Sequence, residues 1–268
     1  MLRIYESGQE FMDENAEILH TYPLETSFFE GNAKGISDRS KGFFAKVSEG
    51  DSFLMASRAS DFPMVLFGEE HLCGELAEGL YKNKLEFGRV LAAEKLAESF
   101  LTCYEEIAGG KHRVLHAMDI MRCSQLHESD TRDVLTATTD DAPEIAKRVV
   151  EFYLESLQEQ WDEEEVLKDV QRNTAQFVLI RRGDIVAVAR KARETERLCA
   201  ISSVYTCREV RGQGLARQLV TCLTREILRD GKLAYLYVDR HNPISNHLYQ
   251  SIGFVYDAPQ VEMQYSIE

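Results

Sequence analysis

Nowhere do the 268 residues contain an apolar run of the roughly 18–20 needed to cross a bilayer, so no membrane partner is expected. The opening MLRIYESGQEFMDENAEILH is acidic and lacks a basic flank before an apolar stretch. It is therefore no secretory signal, and a cytoplasmic location is the expectation. Six cysteines (Cys73, Cys103, Cys123, Cys199, Cys207 and Cys222) lie scattered with no C-x-x-C pair. That pattern argues against a disulfide framework, a redox dithiol or a tight zinc site, and leaves buried or partly buried thiols. No metal is expected elsewhere either. His112 and His116 are four apart, but KHRVLHAMDIM alternates like a strand, where that spacing does not converge on one ion.

Positive charge is also short. Against 31 Lys and Arg stand 45 Asp and Glu, a net −14. Residues 1–130 hold 13 against 23, or −10, and residues 131–268 hold 18 against 22, or −4. A polyanion is repelled, so no nucleic-acid partner is expected, whereas a small cationic molecule is favoured. No low-complexity tract or short repeat is visible, and nothing in the pattern sets the number of subunits.

What is present is a soluble composition, 44% hydrophobic and 28% charged, long enough for two domains. The boundary is placed near HESDTRD, giving an N-terminal α/β domain over residues 1–130 and a second domain over residues 131–268. In the first, SGQEFMDENAEILHTY and RVLAAEKLAESFLTCYEEI predict amphipathic helices, EHLCGELAEGLYKN a further one, and FFAKVSE, SFLMASRA, PMVLFGE and KHRVLHAMDIMRCSQL strands.

The second half alternates strand and helix. RDVLTATT is a short strand, followed by a helix capped by Asp140 or Asp141 with Pro143 in its first turn. WDEEEVLKDVQRN is a shorter helix with its carboxylates at the favourable end of the dipole. AQFVLIRR and IVAVARKARE form a hairpin on Arg182-Gly183-Asp184. LCAISSVYTC, apolar on both sides, is a central strand. Next comes a helix with Leu215, Leu219, Leu223 and Ile227 on one face, stopped by Gly231. LAYLYVD is a buried strand, NPISNHLYQSIG a short helix, and FVYDAPQVEMQYSI a closing pair of strands. The whole is α/β, with a mixed sheet and helices on its faces.

One segment goes against its neighbours' propensities. REVRGQGLARQLVTCL places Gly212 and Gly214 at a strand-to-helix turn, where glycine weakens the helix start. Free N–H groups at a helix N-terminus attract an anion, and glycine lets a phosphate reach the backbone without meeting a Cβ. Ala216 keeps a third position small, and Arg211 and Arg217 add positive charge. A dinucleotide G-x-G-x-x-G needs glycine where Arg217 stands, and the G-x-x-x-x-G-K-[ST] loop is absent. Some 30 residues on, Asn242, Asn246 and Tyr249 share a helical face at i, i+4 and then i+3, a polar wall beside a buried strand. The competing structural reading has Asn242 as the helix cap and Tyr249 as a packed ring with its hydroxyl satisfied.

With both segments in view, the second half resembles the GNAT superfamily of N-acetyltransferases. Arg211-Gly212-Gln213-Gly214-Leu215-Ala216 matches that superfamily's R/Q-x-x-G-x-G/A signature, and NPISNHLYQSIGF looks like its second cofactor segment. The whole chain is similar to bacterial members carrying an N-terminal GNAT-like domain without the site.

The resemblance implies acetyl-CoA as co-substrate and a GNAT-like mixed sheet. Val204, Tyr205 and Thr206 would end a strand splayed from its neighbour and pair with the pantetheine arm. The backbone amides of Gly212, Gln213, Gly214, Leu215, Ala216 and Arg217 would hold the pyrophosphate, and Asn242 and Asn246 the cofactor arm. Tyr249 would be the general acid for the departing thiolate. It implies transfer to an amine of a small acceptor, for which the acidic charge balance favours a cation, with a non-catalytic acyl-CoA sensor or scaffold as the alternative. Many members carry a glutamate base on the central strand; Ser202 and Ser203 stand there instead. An ordered water chain and a carboxylate from the N-terminal domain both stay open for that role.

Overall fold

The structure, a computed structural model, describes residues 1–35, 42–60 and 62–267. Its Cα framework divides into two compact units, residues 1–119, 239–241 and 258–268, and residues 120–238 and 242–257.

The first unit contains β1 (Leu2–Ile4), α1 (Gly8–Glu14), α2 (Ala16–Thr21), α3 (Ser27–Gly35), β2 (Gly42–Glu49), β3 (Ser52–Ala59), β4 (Met64–Gly68), α4 (Cys73–Lys82), β5 (Arg89–Ala92), α5 (Glu94–Ala108) and most of β6 (Lys111–Cys123). β1 to β4 pair antiparallel in chain order and β4 pairs parallel with β5. Alternation assigns the faces: Phe43, Ala45 and Val47 pack with α4 and α5, and Phe44 between them packs with Phe11 and Phe29 of α1 and α3. Met64 and Leu66 take the first face and Val65 the second, as period-2 geometry requires of a sheet covered on both sides.

The segment predicted as one helix from Arg89 is two elements. Arg89–Ala92 is a strand paired with residues 261–264, and the helix starts at Glu94. Val90 and Ala92 face one core and Leu91 the other, an alternation a helix would not give.

In the second unit lie β7 (Leu135–Thr136), α6 (Ala142–Ser156), α7 (Glu163–Asn173), β8 (Phe177–Arg182), β9 (Asp184–Ala192), β10 (Leu198–Thr206), α8 (Leu215–Arg229), β11 (Leu233–Asp239), α9 (Pro243–Ile252) and the start of β12 (Val255–Ser266). The strand order is β7-β8-β9-β10-β11; the first three junctions are antiparallel and β10–β11 is parallel. Thr138 and Asp141 form a capping box on the 3-10 turn Thr139–Asp141 that leads into α6; Asp141 accepts from the Thr138 N–H there and stands at the N-cap position of α6, with no side-chain cap bond of its own to that helix. Leu215, Leu219, Leu223 and Ile227 are buried against Val178, Ile180, Cys199 and Ile201, the face predicted for α8. α6 and α7 cover the opposite face through Ile145, Val149, Val166 and Val170. The closing segment is one strand, β12, where a pair was predicted. Among the described residues no helix is long and apolar enough to cross a membrane.

Candidate functional site

β10 carries the irregularity that shapes the site. Its parallel ladder with β11 runs over three pairs, from Leu198 with Leu233 to Ala200 with Tyr235, although the strands continue to Thr206 and Asp239. On its other side Ser202 pairs with Arg190, then the register shifts, and Tyr205 pairs with Val188. Two residues, Ser203 and Val204, thus stand opposite Ala189 alone, which is a β-bulge. The extra residue reverses the phase of the strand. Cys199 and Ile201 face α8 before it, whereas Tyr205 and Cys207 face α6 after it, and Val204 packs on the α8 side.

Beyond β10 the chain makes a 3-10 turn, Arg208–Val210, and enters the glycine segment. Gly212 and Gly214 have φ of 76° and 77°, and Gly214 is the left-handed N-cap of α8. A Cβ built at either glycine meets no atom within 4 Å. Glycine is therefore required by backbone conformation, and the space over the turn is open. No side chain among the described residues caps α8, so its first N–H groups keep their capacity to bind an anion.

The side chains of the motif point elsewhere. Leu215 is core. Gln213 accepts from Arg182. Arg217 donates to the Ser251 carbonyl at 3.3 Å and to its hydroxyl. Arg211 donates through Nε to the Thr206 carbonyl at 2.9 Å and through Nη2 to Glu155 at 2.8 Å. Positive charge at the turn is thus already engaged, and the backbone is what the turn leaves open to an anion.

Sequence reasoning missed Glu155. It ends α6 some fifty residues upstream, and its carboxylate accepts from Tyr205 Oη and Arg208 Nε, both at 3.0 Å, as well as from Arg211. Burial pushes its pKa up, but these three donors hold it below the ordinary glutamate value. A cavity of about 240 Å³ opens beside it, lined also by Arg148, Glu151, Cys207 and Glu209. Nothing local in the sequence of α6 distinguishes Glu155 from a solvated helix end.

α9 supplies the remaining groups. Asn242 is its N-cap, Oδ1 accepting from the Ser245 N–H at 3.1 Å, and Pro243 fits the first turn. Asn246 bonds back to the Asn242 carbonyl through its backbone N–H and through Nδ2, at 3.1 and 2.8 Å. Capping uses Oδ1 of Asn242, which leaves its NH2 to donate. Tyr249 is 8% exposed, packed edge-on against Phe254. Burial alone raises its phenol from 10.0 to about 12, and no hydrogen bond to its hydroxyl is found among the described residues. No protein group among the described residues thus satisfies the Tyr249 hydroxyl, while Asn242 does cap the helix.

The six cysteines are free thiols, four buried and two partly so. His112 bonds through Nδ1 to Glu105 at 2.7 Å, and no group of three or more His, Cys, Asp or Glu placed to hold a metal occurs among the described residues.

A parallel ladder that stops short, a bulge and a glycine turn opening the next helix define a GNAT-type fold. Solved structures agree. The chain is similar over its full length to a GNAT-family acetyltransferase from Colwellia psychrerythraea (11% identity, all of both chains, TM-score 0.62). It is also similar to a Drosophila protein (14% identity, 99% of this chain and 98% of that one, TM-score 0.69). A tandem GNAT protein from the clavulanic acid biosynthesis pathway matches at 12% identity over 100% and 99%, with a TM-score of 0.58. More particularly, residues 178–262, from β8 into β12, match the FR47-like protein family. Compared by sequence alone, no curated protein matches the chain.

Proposed function

We propose that this GNAT-fold chain is an acetyl-CoA-dependent N-acetyltransferase acting on an amine of a small cationic acceptor, with the transfer chemistry in residues 131–268 and a cytoplasmic location. The observation that carries the reading is the end of the β10–β11 ladder at Ala200 and Tyr235, close in sequence to an uncapped, glycine-entered helix. Such a parting leaves backbone groups of Val204, Tyr205 and Thr206 to pair with an extended amide-bearing arm, and the α8 N-terminus to take its pyrophosphate. The residues fit acetyl-CoA on these grounds. Asn242 donates to the arm through Nδ2, with Asn246 fixing the cap behind it.

The chemistry is a direct transfer. The acceptor ammonium loses a proton to solvent, its nitrogen attacks the thioester carbon, and a C–N bond forms as the carbonyl oxygen gains charge. The C–S bond then breaks, the nitrogen releases its second proton, and the thiolate takes a proton from Tyr249, which solvent restores. The two reactants held in one cleft supply the first part of the acceleration. A phenol raised to about 12 stays protonated throughout the working range and so keeps its proton to give. At the cavity Glu155 is engaged by Arg208 and Arg211 and Glu151 by Arg148, and Glu209 continues the acidic bias that favours a cation.

A second reading, a non-catalytic acyl-CoA sensor or scaffold, is favoured by the absence of a carboxylate on β10, where Ser202 and Ser203 stand. The phenol of Tyr249, without a protein partner among the described residues, favours the enzyme, because a binder has no use for it. Calorimetric titration with acetyl-CoA and with CoA, repeated on Gly214→Glu, tests the shared core of both readings. Binding near micromolar that the variant abolishes is the expected result; no heat with either ligand overturns both.

A further inference from the structure

Ser203 is doubly unfavourable where it stands. It has φ of 51°, the left-handed region that glycine adopts freely and serine only under strain, in the middle of a strand. It is 1% exposed, and its Oγ has no hydrogen-bond partner among the described residues. Glycine would relieve both faults at once, since bulges with a left-handed first residue ordinarily use it. The serine occupies the bulge that reverses the phase of β10, three residues beyond the last β10–β11 pair. Strain and an unpaired buried donor together at one residue are features that persist where a ligand satisfies them.

From these observations we infer that Ser203 is a catalytic residue whose hydroxyl donates a hydrogen bond to the thioester carbonyl oxygen, beside the backbone N–H of Val204. The inference rests on the acetyl-CoA reading above. The step moves no proton through the serine. As the amine nitrogen bonds to the carbonyl carbon, the C=O pair shifts onto oxygen, and Ser203 Oγ–H, retaining its proton, stabilises that charge. When the C–S bond breaks, the pair returns and the thiolate leaves with the Tyr249 proton. A donor fixed by a strained backbone needs no reorganisation as the charge develops, which is what makes such donors effective.

The test needs no knowledge of the acceptor. The infrared C=O band of acetyl-CoA, labelled with carbon-13 at the carbonyl, is recorded free and bound to wild type, Ser203→Gly and Ser203→Ala. Calorimetric affinities for acetyl-CoA and CoA are measured in parallel, together with the melting temperature of each variant. In wild type the bound band lies below the free band. In both variants it moves back toward the free position, and the preference for acetyl-CoA over CoA shrinks by about threefold to tenfold. CoA binding itself is kept, and Ser203→Gly melts at or above wild type. That glycine variant keeps the proposal testable should alanine not fold. A bound band in Ser203→Gly identical to wild type, with the preference intact, overturns it and leaves the serine as backbone only. Failure of wild type to bind acetyl-CoA is a different result: it overturns the acetyl-CoA reading and this inference with it.

Discussion

Arg211 Nη2 lies 2.8 Å from Glu155 Oε2, so the first residue of the glycine segment is tied to the last turn of α6. Arg208 Nε shares the same carboxylate at 3.0 Å. One side chain thereby fixes two points on the short connection between β10 and α8.

Glu155→Gln is expected to weaken acetyl-CoA binding several-fold and to cost about 1–2 kcal/mol, the scale of charge-assisted bonds discounted for partial exposure. The folded pKa of Glu155 is depressed, so its contribution is present above the unfolded value near 4.5 and is lost as pH falls through the folded value. Melting temperatures of wild type and variant should therefore converge on acidification from neutral pH, as a thermal scan at stepped pH would show.

Gly214→Ala and Gly231→Ala separate conformation from binding. Both glycines have φ near +76°, and a Cβ at either meets nothing within 4 Å. Each variant is expected to lose about 1–2 kcal/mol in chemical denaturation. Only Gly214→Ala, at the N-terminal end of α8, should also lose CoA affinity by calorimetry.

Asn242 permits a similar separation. Asn242→Ala removes the cap and should cost about 1 kcal/mol, while Asn242→Asp keeps a capping oxygen. If the amide NH2 serves the cofactor arm, both variants lose acetyl-CoA affinity, but only alanine lowers the melting temperature.

Tyr249→Phe keeps the ring that packs on Phe254, and removes a hydroxyl with no partner among the described residues. Stability should hold, while kcat falls by about 10²-fold with the acetyl-CoA Kd unchanged. Titration of tyrosine absorbance should lose a component near pH 12. Because this phenol is raised above its unfolded value of 10.0, the stability it contributes is present below that value and disappears as pH rises toward 12.

Features written in adjacent residues were legible. The hairpin at Gly183, the apolar stripe of α8, the Asn242-Pro243 helix start and the two site glycines all follow from short-range rules. The strand of residues 89–92 was hidden because its four residues, RVLA, also fit the phase of the helix that follows. Its signal is the pairing of Val90 with Met263, which no local window contains. The closing segment was expected as two strands, yet β12 runs unbroken through Pro259. Proline has no N–H to give a ladder, and this one comes just after Asp257, where the strand passes from one compact unit to the other.

Of the candidate site, the glycine turn was legible in the sequence and the side-chain contacts around it were not. The left-handed backbone of Ser203 has no signature in AISSVYT, because a bulge leaves no composition signal when serine replaces glycine. Glu155 needed the packing of α6 to bring it to Arg211.

The return of residues 258–268 to the first unit has a consequence during synthesis. Residues 261–264, the antiparallel partners of Arg89–Ala92, are made long after the strand they pair with. Until then Leu91 and its neighbours have an unfilled edge, open to any strand nearby. From the synthesis of Ala92 until that of residues 261–264 a growing chain thus carries β5 with one edge unfilled, and a product truncated before Val261 keeps that edge exposed.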